Sequence, residues 1–109
     1  MDRLPYHHRT AAGETRDFEF HLHPETGSAM RVHQLLSRLV EVVDHEVALL
    51  GETSNGDVLQ ALAMALAVRT DMVPAAESLK YQLARELVEA ALESLGETAR
   101  RAEGPVGHA

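Results

Sequence analysis

Residues 58–68 read Val58-Leu59-Gln60-Ala61-Leu62-Ala63-Met64-Ala65-Leu66-Ala67-Val68, and Gln60 is the one polar side chain among the eleven. Ala, Leu and Met are strong helix formers, so the stretch predicts a helix. A helix at a protein surface carries one apolar stripe and a polar back. This one is apolar nearly all round and predicts burial. At helical spacing, Val58, Ala61, Ala65, Val68 and Met72 fall on one seam, and Leu59, Leu62, Leu66 and Val73 fall on a second, bulkier one. Two seams call for at least two packing partners.

The residues on either side supply candidates. Immediately before it, GETSNGD at 51–57 is turn chemistry, and Ser54 and Asp57 have the spacing of a capping box. Further upstream, Val32, Leu35, Leu36, Leu39, Val40, Val43, Val47 and Leu50 predict a first helix from about Ser28 to Leu50, closed by Gly51. Downstream, helix two is expected to end near Arg69, and Pro74 suits the first turn of helix three, with Asp71 as a cap. Leu79, Leu83, Leu87, Val88, Ala91, Leu92 and Leu95 give helix three its apolar face, and Gly96 is expected to end it.

Ahead of the helices, Asp17 to His23 alternates, with Phe18, Phe20 and Leu22 on one side and Asp17, Glu19, His21 and His23 on the other. That is the pattern of a strand. No second strand pattern stands out downstream, and a lone strand cannot satisfy its own edges. It either pairs with its copy in another subunit or lies along the helices with both Phe rings buried. The expected layout is a mobile arm at 1–15, one helical domain at 16–96 and a frayed tail at 97–109. The fold class expected is mainly α: a short N-terminal extended strand, then three helices with helix two buried between helices one and three. Helices one and two carry more apolar surface than one further helix can cover, so a dimeric helical bundle is expected. Phe18, Phe20, Leu22, Val58, Ala61, Ala65 and Val68 are the expected contacts of that homodimer.

Composition narrows the function. The 109 residues are 45% hydrophobic and 4% aromatic, with no Trp, no Ile and no Cys, so the core is aliphatic. Without cysteine there are no disulfides, thiolate nucleophiles or cysteine metal sites. A formal charge of -7 argues against tracking nucleic-acid phosphates and leaves room for a basic protein partner. The N-terminus has no apolar run, and 58–68 is too short to span a bilayer, so no membrane association and a cytoplasmic location are expected.

Two histidine sets suit a divalent transition metal. Glu41 and His45 lie one helical turn apart with His33 on the same stripe, against the plainer reading of a solvated polar face. His21 and His23 share one face of the strand, near His7 and His8, and fit either a metal or a pH-sensitive interface. Catalysis has no foothold in the sequence: there is no Gly-rich phosphate loop and no nucleophile elbow, and no cofactor signature is present.

The order of an alternating strand, a helix, and a turn in which Ser54 opens an apolar helix resembles that of ribbon-helix-helix DNA-binding dimers over about half of the chain. The resemblance implies a strand shared between subunits and a DNA-binding regulator or antitoxin-like dimer. Here the first helix is nearly twice as long as that pattern wants, and the outward strand face offers Asp17, Glu19, His21 and His23 where base-reading strands need basic or amide groups. No functional residue carries over. The function expected is a small non-enzymatic accessory or regulatory protein acting through homodimerisation and protein–protein interaction, with a histidine/carboxylate metal binder or sensor as the alternative from another class.

Overall fold

A computed structural model describes residues 3–10 and 13–107, with side chains through residue 97. The elements in chain order are β1 (Arg3–Arg9), β2 (Thr15–His21), α1 (Ala29–Leu50), α2 (Asn55–Asp71) and α3 (Glu77–Gly107). The chain is therefore mostly helical with a two-stranded antiparallel sheet at its N-terminal end. It divides into two compact units. One comprises Met1–His33 with Leu87–Ala109, and the other Gln34–Glu86. No helix among the described residues is long and apolar enough to cross a membrane.

In the first unit the expected lone strand has a partner within the chain. Residues 3–9, expected as part of a mobile arm, form β1 and pair with β2 from Arg3↔His21 to Arg9↔Thr15. The register puts Leu4 opposite Phe20 and Tyr6 opposite Phe18, on the opposite face from His7 and Asp17. Leu4 and Tyr6, at 8% and 7% exposed, are the buried hydrophobic residues among those described. Gly13, at φ +90°, makes the hairpin turn, where a side chain would be strained, and its N–H donates to the Thr10 carbonyl at 2.9 Å. Pro5 has no N–H to offer a ladder, which is tolerable because β1 is an edge strand.

The helix starts follow their caps. Ser28 caps α1, its Oγ accepting from the Arg31 N–H at 3.1 Å. Gly51 follows the last residue of α1 at φ +80°. Ser54 caps α2, its Oγ accepting from the Asp57 N–H at 3.0 Å. Helix three departs from expectation at both ends. Pro74 lies in the tight turn after α2, where the Ala75 N–H donates to the Val73 carbonyl, and α3 begins at Glu77. Lys80 reaches back across this turn to donate to the Asp71 carbonyl at 3.0 Å, placing a cation at the C-terminal end of α2. Gly96 does not end α3, because a single glycine inside a helix costs only about 1 kcal/mol and enforces no left-handed turn. The backbone is helical through Gly107, where a frayed tail was expected; the last two residues of that tail lie outside the described residues.

The larger correction concerns α2. Within its unit it is not enclosed: its only buried residue is Thr70, whose hydroxyl donates to the Leu66 carbonyl one turn back. Replacing Ser54 by Ala removes the cap acceptor of α2 and is expected to lower stability by about 1 kcal/mol, whereas Ser54→Asp keeps an acceptor and most of that stability. Urea unfolding followed by circular dichroism measures both; equal losses would mean the cap is not the cause.

Candidate functional site

The second unit carries its main surface feature between α1 and α2. Leu35, Leu39, Val42, Val43, Val47 and Leu50 descend one face of α1, spaced by three or four residues so that they form a continuous stripe. Val58, Ala61, Leu62 and Ala65 present the facing side of α2. Between them lies an open groove of about 500 Å³, with Arg38, Glu46, Thr53 and Asp57 supplying its polar lining. Leu39 on the α1 wall is 57% exposed and Leu62 on the α2 wall 40%, and on the outer side of α2 Leu59 is 67% exposed. An aliphatic cleft of this kind binds by excluding water and has few polar groups with which to orient a reacting molecule.

A second cluster joins β2 to α3 in the first unit. Ser94 is 1% exposed; its Oγ accepts from the His21 backbone N–H at 3.0 Å and donates to the Ala90 carbonyl at 2.9 Å. The His21 ring nitrogen Nε2 lies 2.6 Å from Glu97 Oε2. Serine, histidine and a carboxylate meet here, but the serine hydroxyl is bonded to backbone and is shut away from solvent. Its role is a clamp: it satisfies the last N–H of β2 and holds that strand end to the helix.

The expected site residues separate. Val58, Ala61 and Ala65 line the groove, whereas Val68 stands outside it and is exposed. Phe18 and Phe20 stack on each other at 5.7 Å and Phe18 tilts against Tyr6 at 6.3 Å; both rings, and Leu22, are half-buried within the chain. β2 thus pairs one edge with β1 and turns part of its apolar face inward within the chain.

Of the two metal sets, Glu41, His45 and His33 all lie on α1, and His21 ends β2 with His23 in the loop after it. Glu41 is beside Arg38 at 3.7 Å, His33 stands edge-on to Tyr6 at 5.6 Å, and His45 is exposed on α1. His21 faces Glu97, and His23 Nδ1 accepts from the Glu25 N–H at 3.1 Å, which tightens the loop after β2. Among the described residues no three His, Asp or Glu side chains are gathered as metal ligands. Two cross-strand contacts join the polar face of the hairpin, His7 Nδ1 with Asp17 Oδ1 at 2.5 Å and the Arg3–Glu19 ion pair at 3.0 Å.

Sequence reasoning named the α1 stripe from Leu35 to Leu50 as an apolar face and the α2 residues as contacts, but not the groove that the two form together. Ser94 was also missed; a lone serine on an apolar helix face is its one sequence trace. Compared with known protein families, curated proteins and solved structures, the chain matches none.

The clamp leads to a ranking that unfolding can check. Ser94→Ala takes from the partly buried His21 N–H the acceptor it has in the 1%-exposed Ser94 and is expected to cost about 1–3 kcal/mol. The His21–Glu97 pair is about one-third exposed and screened by water, so Glu97→Gln is expected to cost less than about 1 kcal/mol. Urea midpoints for the two variants test this order, and a Glu97 variant at least as damaged as the Ser94 variant would refute it.

Proposed function

We propose that this chain is a small non-enzymatic accessory or regulatory protein that works by forming a homodimer and by binding another protein. The observation that carries the reading is the mismatch between apolar surface and core. Leu4 and Tyr6 are buried, while Leu35, Leu39, Val42, Leu59, Met64 and Leu66 stand open to solvent on two helices. Scattered exposed leucines are ordinary, but contiguous aliphatic walls of this extent mark surfaces that association covers. Most helical stability in proteins comes from packing an apolar face against other elements, and α2 has Thr70 as its one buried residue, so association would supply the cover it lacks.

The polar features fit the same reading. The two histidine–carboxylate contacts brace strands and helix ends, and the groove is lined by aliphatic side chains with polar groups few among them. The formal charge of -7 keeps an assembled protein soluble and favours a basic surface on a further partner.

Light scattering coupled to gel filtration at micromolar concentration is expected to give twice the 11.9 kDa of one chain. Folding and association are expected to be linked, so the thermal midpoint should rise with protein concentration. A monodisperse monomer with a concentration-independent midpoint would overturn the proposal.

A further inference from the structure

We infer that the groove between α1 and α2 is the seat of α2 from a second copy of this chain, the two copies being related by a two-fold axis that passes beside the Val58–Ala61–Ala65 seam. This deepens the self-association proposed above and rests on it.

The extent of open apolar surface within the second unit argues for a large partner: Leu35, Leu39 and Val42 on α1 and Leu59, Leu62 and Met64 on α2 are each 40% or more exposed. A small apolar ligand filling a groove of about 500 Å³ would leave the outer face of α2, with Leu59 and Met64, in water.

The identity of the occupant follows from the chain's own helices. What the groove requires is a helix without a polar back, since its walls are aliphatic on both sides. α2 is such a helix, and it is uncovered. In a two-fold contact the same patch serves both copies, so α2 of each copy lies in the groove of the other. The four helices then make one bundle core, each α2 touching α1 and α2 of its partner. Ala61 and Ala65 are the smallest residues of the lining and allow the two α2 axes to approach to about 8 Å. Arg38 on one rim and Glu46 and Asp57 on the lining give the patch both signs of charge, which a self-complementary surface needs.

The chain has no native cysteine, so single cysteines report proximity without background. In separate variants, Val58→Cys, Ala61→Cys and Ala65→Cys are oxidised under native conditions, with Glu25→Cys in the exposed loop after β2 as the control. A disulfide forms where two Cα atoms come within about 7 Å, so the seam position closest to the axis should convert most of the chain to a covalent dimer while Glu25→Cys stays uncrosslinked. Ala65→Arg places a charge in the seam and is expected to abolish the dimer in light scattering. If the unmodified chain and all three seam variants remain dimeric yet none crosslinks, the groove assignment is wrong and self-association stands. A monomeric unmodified chain removes both, and so does a monomer whose native mass spectrum carries a bound apolar molecule.

Discussion

The constraint on which this molecule turns is that α2 has no polar side. From Val58 to Val68 every side chain but Gln60 is apolar, so no orientation of this helix on a surface leaves only polar groups in water. Ser54 at its start and Lys80 reaching over the Asp71 carbonyl satisfy its two ends, which sets its length. Neither contact covers its flanks. α1 brings an aliphatic stripe to one side and stops at an open groove, leaving the outer residues of α2 uncovered. The chain has spent its helices without enclosing the most hydrophobic of them.

The first unit solves the same problem at a smaller scale and does so internally. The hairpin separates its faces by strict alternation: Leu4, Tyr6, Phe18 and Phe20 on one, Arg3, His7, Asp17 and Glu19 on the other. The apolar face gathers Tyr6, Phe18, Phe20 and the His33 ring into one aromatic cluster. The polar face carries the exposed Arg3–Glu19 ion pair and the His7–Asp17 hydrogen bond, each of small worth. Its anchoring comes instead from the buried Ser94, because a hydrogen bond partly withdrawn from water costs more to lose than an exposed, screened contact.

Much of this was legible in the residues, for reasons that differ by element. Ser28, Gly51 and Ser54 are local signals whose chemistry does not depend on the rest of the fold, and they set the ends of α1 and the start of α2 where the sequence places them. β1 was hidden because Pro5 interrupts the alternation of Leu4, Tyr6 and His8, and an edge strand tolerates a proline that a central strand rejects. Gly96 misled in the opposite direction: glycine is needed where φ turns positive, and nothing at that position demands it. Ser94 and His21 are 73 residues apart, and no periodicity connects them.

Helix two marks the boundary of what periodicity states. Its composition says that it must be covered, and says nothing about which chain provides the cover. Assigning that role to α1 and α3 was the economical choice for a single chain, yet α3 directs its Ser94 face to the hairpin, and α1 meets α2 across a groove. Apolar area fixed by a sequence is conserved whether it is buried within one chain or between two. In the proposed dimer, covering α2 makes association part of folding, and the surface left polar after assembly is the one open to any further partner.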